Sequence, residues 1–369
     1  MARLGDICII SSGGTPLRSE SAYWNGGTIP WVKISDFSGK YLDSTEEFIT
    51  SEGLENSSAK VFQKDTILYT IFATLGEVCI LNIDAATNQA IAGIRITDDS
   101  VLTDYLYYYL LSIKKRIIES GRGVAQNNIN LSILRGLQID IPSLETQQKV
   151  ICSLNLLEDI ISLRKKQLQK LDDLVKSRFV EMFGDPVTNP KGWKKEPLSR
   201  NATLLNGRAY KQDELLDTGK YPVLRVGNFF SNREWYYSDL ELEDDKYCYT
   251  GDLLYAWSAS FGPQIWNGGK VIYHYHIWKV LVGDSYNKLF LCNLLDYATE
   301  SLMGDTHGIA MMHLTKSDME QTEFIVPPIE QQNLFASFYE QINKTKQIVH
   351  QGQDKLEQMK QALMQKYFG

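Results

Sequence analysis

An internal repeat constrains the fold of this chain more than any other feature. A shift of the sequence along itself by 308 − 123 = 185 positions aligns residues 123–184 with residues 308–369 without a gap. Ten of the 62 aligned pairs are identical, and others, such as Val124 with Ile309, exchange one apolar residue for another. The repeat predicts two similar units related by an approximate two-fold axis. An object of that symmetry can bind another two-fold object, of which duplex DNA is the commonest.

Each repeat ends in the pattern of a long helix. No Gly or Pro occurs between Ser143 and Phe183, and Pro142 and Pro327 lie where a helix would begin. Apolar residues recur at three- to four-residue spacing in both stretches: Val150, Leu154, Leu157, Ile161, Leu168, Leu171 and Val175, then Phe335, Tyr339, Ile342, Val349, Leu356, Met359 and Leu363. Helices of this length, about 60 Å at 1.5 Å per residue, would most simply pack on each other as a coiled coil.

Short apolar or alternating runs between turn residues precede each helix and predict strands. They include Ile29–Ile34, Thr66–Phe72 and Val271–Leu281. The fold class expected is therefore α+β: two mixed α/β globules joined by two long helices in a coiled coil, as a pseudo-two-fold tandem repeat. The boundaries expected are 1–142 for the first globule, 143–183 for the central helix, 184–192 for a linker, 193–327 for the second globule and 328–369 for the C-terminal helix.

The composition is that of a globular protein, with 43% hydrophobic and 22% charged residues. The five cysteines form no Cys-x-x-Cys pair, and the first residues contain no apolar stretch typical of a secretory signal. We therefore expect a cytoplasmic protein. The net charge of −7 argues against a nucleic-acid binder that acts alone, because neutralising phosphates usually requires a basic surface.

Catalytic motifs are missing from the sequence. It has no Gly-x-x-x-x-Gly-Lys-Ser/Thr loop, no His-Glu-x-x-His and no Asn-Pro-Pro-Tyr tetrapeptide. His274 and His276 alternate and would project from one face of a strand, but no third metal ligand accompanies them. The sequence predicts a chain without a catalytic centre, a bound metal or a cofactor.

Several motifs, in order along nearly the whole chain, resemble the specificity subunits of type I restriction-modification systems. The motifs are Gly13-Gly-Thr-Pro16, Tyr23-Trp-Asn-Gly-Gly-Thr-Ile-Pro-Trp-Val-Lys-Ile-Ser-Asp36, Leu75-Gly-Glu-Val78, Thr87-Asn-Gln-Ala90, Ile141-Pro-Ser-Leu-Glu-Thr-Gln-Gln148 and Met182-Phe-Gly-Asp-Pro-Val-Thr-Asn-Pro-Lys-Gly-Trp193. The resemblance implies two target-recognition domains, each reading one half of a bipartite, interrupted DNA site, and two long antiparallel α-helices that act as a spacer between them. It implies two methyltransferase subunits and restriction-translocation subunits as partners, which methylate adenine or cleave DNA and use S-adenosylmethionine, ATP and Mg.

The two globules differ in their first loops. Gly13-Gly-Thr-Pro16 has no evident counterpart in Gly207-Arg-Ala-Tyr-Lys211, although Pro30–Phe37 matches Pro222–Phe229. A kept scaffold with different loops suits a protein that reads two different DNA sequences.

Base and phosphate contacts require Arg, Lys, Asn, Gln, His or hydroxyl side chains in such loops. In the first globule the candidates for DNA contact are Thr15, Arg18, Lys33, Ser35, Asp36, Thr70, Thr74, Gln89, Arg122, Gln126 and Asn127. In the second they are Arg208, Tyr210, Lys211, Arg225, Asn228, Ser258, Ser260, His274, His276 and His307.

Two other functions remain open from the residues. The chain could belong to a related system whose partner fuses nuclease and methyltransferase, or it could be a coiled-coil scaffold that assembles proteins without DNA. The acidic balance favours weak, salt-sensitive DNA binding by the chain alone and tight binding by its complex.

Overall fold

A computed structural model describes residues 1–121, 129–231, 233–258, 260–304 and 315–369, without the side chains of residues 118–121 and 300–304. No helix within these ranges is both long and apolar enough to span a bilayer. The chain forms two compact units. The first contains Met1–Lys165 and Gln351–Gly369, and the second contains Lys166–His350.

The helices alternate with strands in both units. They are α1 (Leu4–Ile7), α2 (Ser51–Glu55), α3 (Thr103–Ser112), α4 (Lys114–Gly121), α5 (Leu131–Gly136), α6 (Leu144–Phe183), α7 (Leu198–Asn201), α8 (Val226–Phe230), α9 (Lys288–Gly304), α10 (Lys316–Gln321) and α11 (Ile329–Phe368). The two long helices α6 and α11 begin two residues after Pro142 and Pro327, as the sequence predicted, and Gly352 does not interrupt α11.

The strands of the first unit form two main sheets. They are β1 (Ala2–Arg3), β2 (Cys8–Ser12), β3 (Ile29–Val32), β4 (Tyr41–Leu42), β5 (Glu47–Ile49), β6 (Val61–Phe62), β7 (Ile67–Thr70), β8 (Val78–Leu81), β9 (Ala85–Thr87), β10 (Ile91–Ile96) and β11 (Gln138–Ile139). One sheet has the order β2-β10-β7-β8-β4 and the other has β5-β3-β9-β6, while β1 pairs with β11. The pairs β3–β9 and β4–β8 are parallel, and the others are antiparallel.

The second unit repeats this arrangement. Its strands are β12 (Lys195–Pro197), β13 (Ala202–Asn206), β14 (Tyr221–Leu224), β15 (Tyr236–Ser238), β16 (Tyr247–Cys248), β17 (Leu253–Ser258), β18 (Ser260–Ile265), β19 (Val271–Tyr273), β20 (Ile277–Val282) and β21 (Glu323–Ile325). The sheet orders are β13-β20-β17-β18 and β15-β14-β19-β16, and β12 pairs with β21. As in the first unit, the second sheet contains one parallel pair, β14–β19. The predicted α+β fold with a duplicated mixed globule is confirmed.

The long helices run antiparallel. In the second unit the Asp172 carboxylate pairs with the Lys346 ammonium, and the Phe183 ring lies 5.8 Å from the Phe335 ring. Eleven residues forward along α6 therefore correspond to eleven residues backward along α11. In the first unit, Glu158 of α6 pairs with Lys360 of α11 at 2.7 Å.

Each globule packs against the beginning of one long helix and the end of the other. In the first unit the ring of Phe368, at the end of α11, lies 5.1 Å from that of Tyr105 on α3. In the second, Phe183 at the end of α6 lies 4.7 Å from Phe290 on α9. Phe290 stands 185 residues after Tyr105, and Phe368 stands 185 residues after Phe183, so the repeat of the sequence is also a repeat of contacts.

The segment Val271–Leu281 is not the single strand that the sequence suggested. It divides into β19 and β20, which belong to different sheets, and His274–His276 form the connection between them. The prediction that both imidazoles project from one strand face was wrong, because the chain changes sheets at this point. The first globule makes the same change between β9 and β10.

Candidate nucleic-acid interface

In each globule, the turn that follows one strand presents a basic residue; the strand is β3 in the first globule and β14 in the second. After β3, the backbone N–H of Lys33 donates to the Asp36 carboxylate at 2.8 Å. After β14, the backbone N–H of Arg225 donates to Asn228 Oδ1 at 3.3 Å. Asp36 and Asn228, two predicted DNA contacts, therefore close equivalent turns with their side chains. The turns hold Lys33 and Arg225 at corresponding places on the two globules.

The first loops of the two globules share a backbone construction that the sequence did not reveal. The N–H of Gly13 donates to the carbonyl of Ile91, and that of Gly207 donates to the carbonyl of Ile277. A Cβ at Gly13 would stand 2.3 Å from the carbonyl oxygen of Thr87, and one at Gly207 would stand 2.4 Å from two carbonyl oxygens. Only glycine fits such a close approach. The expectation that the Gly13 loop has no counterpart was wrong, since Gly207 occupies the same position.

In the first globule, Arg18 and Lys33 share one carboxylate. Glu47 Oε2 accepts from the Arg18 guanidinium at 2.6 Å, and Glu47 Oε1 lies 3.0 Å from the Lys33 ammonium. The guanidinium also stacks over Trp24, 3.8 Å from the ring centroid. Burial works to raise the pKa of Glu47, but hydrogen bonds from Arg18 and Lys33 outweigh it and lower the pKa. Two predicted contacts are thus held together beside an indole ring.

Other predicted residues of the first globule have different environments. The hydroxyl of Thr15 donates to Gln89 Oε1, which joins two predicted contacts from separate loops. Thr74 is exposed next to Ala73, whose φ of 61° is rare for a residue with a side chain. Ser35 is exposed in the turn after β3. Thr70 is fully buried and its hydroxyl donates to the Thr74 carbonyl, so it shapes this loop from inside.

In the second globule, Arg208 makes a bidentate pair with Glu214. The two N–H···O distances are 2.8 and 2.7 Å, and the guanidinium carbon lies 5.2 Å from the centre of the Tyr210 ring. Hydrogen bonds from Arg208 and from the backbone of Lys211 lower the pKa of Glu214 to about 2. Lys211 itself is exposed. As in the first globule, a carboxylate of the same chain holds the predicted arginine.

Two clefts lie on either side of the His274–His276 turn. One, of about 440 Å³, is lined by Arg225, Asn228, Arg233, Tyr236, His274 and His276, among others. The other, of about 590 Å³, is lined by Asn206, Trp257, Tyr275, Trp278 and Lys316, among others. Burial, together with His276 and Arg225, lowers the pKa of His274 to about 4, so its imidazole is neutral near pH 7. Neutral imidazoles and arginines in one cleft offer both acceptors and donors to a base edge.

The remaining predicted residues of the second globule lie at the β17–β18 hairpin or beyond the described ranges. Ser258 and Ser260 face each other as the last pair of this hairpin, and Ser260 is exposed. Gly262 lies within β18, opposite Ala256. Arg122, Gln126, Asn127 and His307 lie outside the described residues.

The surface groups described above can hydrogen-bond and neutralise charge. Within the described ranges, no three His, Cys, Asp or Glu side chains form a group that could hold a metal ion. The arginines and Lys33 suit phosphates and guanine edges, and the amide of Gln89 suits adenine. The geometry is that of a binding surface built twice.

Comparison with known proteins identifies the class. The model of the type I restriction-modification DNA specificity domain matches residues 1–173 and 190–358, and the chain belongs to this family. The resemblance inferred from the motifs is confirmed. The chain is a specificity subunit, which is not itself catalytic and which assembles with other subunits and with DNA.

Individual relatives are specificity subunits of type I restriction enzymes by name. The chain is similar to the type I restriction enzyme MjaIX specificity subunit of Methanocaldococcus jannaschii, with 27% identity over 94% of this chain and 88% of that protein. It is 25% identical to the EcoR124I/EcoR124II specificity subunit of Escherichia coli over 47% of this chain and 46% of that one.

Solved structures share the fold. A chain from a study of complex assembly and conformational transition of a type I restriction-modification system matches with a TM-score of 0.62, at 18% identity over 100% of this chain and 96% of that chain. The S subunit of the type I system from M. genitalium matches with a TM-score of 0.57, at 13% identity over 100% and 95%.

Sequence reasoning missed the partners of the predicted basic residues. Glu47 stands 29 residues from Arg18, and Glu214 is separated from Arg208 by a turn whose geometry the sequence does not define. Trp24 was assigned to a motif, but its stacking on Arg18 depends on how two loops meet. Only the alternation of acidic and basic residues near these loops could have suggested such pairs.

Proposed function

We propose that this chain is the DNA-reading subunit of a type I restriction-modification complex. Each globule reads one half of a bipartite, interrupted site, and the chain directs adenine methylation or restriction by its partner subunits. One observation supports this most strongly. The two globules share a backbone frame, in which Gly13 matches Gly207 and the turn of Lys33 matches that of Arg225. They place different side chains on that frame, as two different half-sites require.

The side chains on that frame differ in hydrogen-bonding character. The first globule offers Thr15, Arg18, Lys33 and Gln89, and the second offers Arg208, Arg225, His274 and His276. Base edges in the major groove are distinguished by their order of donors and acceptors. Two surfaces with different donors and acceptors therefore read two different sequences.

Apolar stripes on the long helices support two methyltransferase subunits as partners. Leu156, Leu163 and Leu174 lie on α6 at spacings of 7 and 11 residues, which place them on one face of a helix with about 3.6 residues per turn. Leu334, Ile348 and Met359 form a similar stripe on α11, and all six side chains are between 46% and 70% exposed. Leu163 and Leu174 are the repeat equivalents of Ile348 and Met359. Two equivalent apolar patches suit two copies of one partner.

In the proposed complex, the partner subunits provide the cofactor-binding sites and part of the DNA-binding surface. In our proposal the methyltransferase and restriction-translocation subunits bind S-adenosylmethionine, ATP and Mg, and they contribute basic surface around the duplex. The net charge of −7 is consistent with this division, because the chain then binds DNA tightly only in the complex. The complex would act in the cytoplasm, where bacterial and archaeal DNA lies.

The proposal is tested by sequencing the methylated sites of cells that express the chain with its methyltransferase subunit. We expect one bipartite motif with a fixed spacer. In the Arg18→Ala variant, methylation should decrease, or specificity should relax, at bases of one half-site only. In the Arg225→Ala variant, the same should occur at the other half-site.

The matched control is Arg95→Ala, which removes an exposed arginine from the first globule at a separate cleft beside Lys60 and Phe62. It should leave the motif unchanged. Methylation without a bipartite motif, or a motif that none of these variants changes, would favour a protein scaffold without DNA recognition.

A further inference from the structure

A buried glutamine joins the first turn of α6 to the first globule. Gln147 is fully buried, and its side-chain amide uses three hydrogen bonds. Nε2 donates to the carbonyl oxygens of Ser100 at 2.6 Å and Pro142 at 2.9 Å, and Oε1 accepts from the N–H of Leu102 at 2.9 Å. Ser100 and Leu102 lie between β10 and α3, so one side chain connects the long helix to the loop before α3 and to the segment that leads into the helix.

The second unit contains the same connection. Gln332 of α11 is also fully buried. Its Nε2 donates to the carbonyls of Ser285 at 3.0 Å and Pro327 at 2.7 Å, and its Oε1 accepts from the N–H of Asn287 at 2.9 Å. Each of these residues stands 185 positions after its equivalent. The repeat therefore preserves four positions and three hydrogen bonds in each unit.

Apolar packing alone would attach each helix to its globule without defining the angle closely. The core of the first unit already contains Val150, Ile151 and Leu154 of α6. Apolar contacts are not directional, whereas three hydrogen bonds to fixed backbone groups define one orientation. A buried amide without its partners costs free energy, so alternative angles that break these bonds are disfavoured. The glutamine thus supplies the directional part of the attachment.

We propose that Gln147 and Gln332 are positioning residues that set the spacer length between the two half-sites. The proposal rests on the function proposed above. One added base pair displaces a half-site by about 3.4 Å and turns it by about 35°. A protein that accepts a single spacer length must therefore fix the orientation of each globule on its helix to within less than this displacement and rotation. The paired glutamines hold each globule in this way, independently of the residues that read bases.

The test uses the full chain with its methyltransferase subunit and a DNA library that carries both half-sites with spacers of every length near the native one. The variants are Gln147→Leu, which removes all three hydrogen bonds, and Gln147→Glu, which keeps the acceptor for Leu102 but loses both donated bonds. Methylation is measured as a function of spacer length.

For wild type we expect one spacer length to be preferred by about a hundredfold, which is the effect of one or two mismatches. In both variants, methylation of sites whose spacer is one base pair longer or shorter should come within about tenfold of methylation at the native spacer. The recognised half-site bases should stay the same. Gln332→Leu should give the same broadening through the other globule.

The control is Gln148→Leu, which changes the neighbouring exposed glutamine of α6 and should leave the spacer preference intact. A variant that stays folded with an unchanged spacer preference would overturn the positioning role. Unfolding of both Gln147 variants with proportional loss of methylation at every spacer length would also overturn it, because the residue would then only stabilise the fold. If the wild-type complex shows no bipartite motif, the proposed function itself fails.

Discussion

Carboxylates of the chain itself hold the basic side chains of both candidate interfaces. Glu47 pairs with Arg18 and Lys33, and Glu214 pairs with Arg208. A phosphate or base that binds these arginines must replace or share a carboxylate that is already in place. This competition lowers the affinity for arbitrary DNA more than for a site whose other contacts are all satisfied.

The Glu47→Gln variant tests this competition. Removal of the charge should free Arg18 for phosphates, while Lys33 keeps its pair with Glu46. Non-specific DNA affinity of the complex at about 50 mM salt should therefore rise roughly fivefold and fall more steeply with added salt. Fluorescence anisotropy with random-sequence duplex measures both. Glu46→Gln is the matched control, since it removes the same charge at a neighbouring residue that is 78% exposed and pairs with Lys33. Equal effects of the two variants would mean that only net charge matters.

The environment of a single residue could be predicted from the sequence where its contacts are with residues close to it in the chain. The turn of Lys33 and Asp36 spans four positions, and the resemblance placed both in one motif. The pairing of Arg18 with Glu47 was not predictable, because ion pairs between loops depend on the tertiary structure. The buried position of Thr70 is a similar case: its residue type suits DNA contact, but the last position of β7 faces the inside of the loop.

At the level of elements, the two globules are attached to the helices by different chemistry in addition to the shared glutamines. In the first unit, the Lys40 ammonium lies 2.9 Å from Asp104 of α3 and 2.7 Å from Asn155 Oδ1 of α6. Tyr108 donates to the same Asn155 oxygen and to Glu158. In the second unit the rings of Phe179, Phe183, Phe290 and Phe335 pack together. Beside the aromatic contact of Phe368 with Tyr105, the first unit therefore adds polar bonds, whereas the second unit adds further aromatic rings.

The Lys40→Met variant should destabilise the first unit. The lysine side chain is only 13% exposed and that of Asp104 is 23% exposed, so the carboxylate would lose its charged partner in a partly desolvated place and keep only the hydrogen bond from the Tyr41 hydroxyl. We expect a loss of about 1–3 kcal/mol in the free energy of unfolding, less than the 3–5 typical of a fully buried pair. Urea denaturation measures it. Lys149→Met breaks the exposed pair with Glu145 on the same helix and should change the stability by less than about 0.5 kcal/mol. A similar loss in both variants would contradict the role of burial.

The long elements were predictable and the short ones were not. A 40-residue stretch without Gly or Pro, preceded by proline and carrying a regular apolar stripe, defines α6 by local rules. The three-residue strands β9 and β19 follow no such rule, since their pairing with β3 and β14 is decided by the sheet. The residues Val271–Leu281 are apolar enough for one strand, and only the tertiary structure reveals the change of sheet at His274.

For the whole molecule, the duplication predicts how a change in the length of both long helices alters the methylated motif. An insertion of one heptad in both helices, between Lys165 and Lys166 and between His350 and Gln351, lies at the boundary of the two compact units. Seven residues add about 10 Å to a helix and keep the apolar seam nearly in register. We expect the methylated motif to keep both half-site sequences and to change in spacer length.

Methylome sequencing of the insertion variant measures this. An insertion of the same seven residues into the 184–192 segment between the repeats is the control, and it should leave the spacer unchanged. New bases in either half-site, with the spacer unaltered, would show that the helices do not set the separation.

The first unit includes Gln351–Gly369, and its core packs against Leu363, Met364, Tyr367 and Phe368 of α11. A ribosome therefore synthesises residues 351–369 of this unit only after the whole second unit, although residues 1–165 precede that unit. Until then the apolar surface around Tyr105 lacks its native contacts, so the first unit cannot complete its core before the second unit has been synthesised. Removal of residues 363–368 would accordingly destabilise the first unit, most of which is translated before the second.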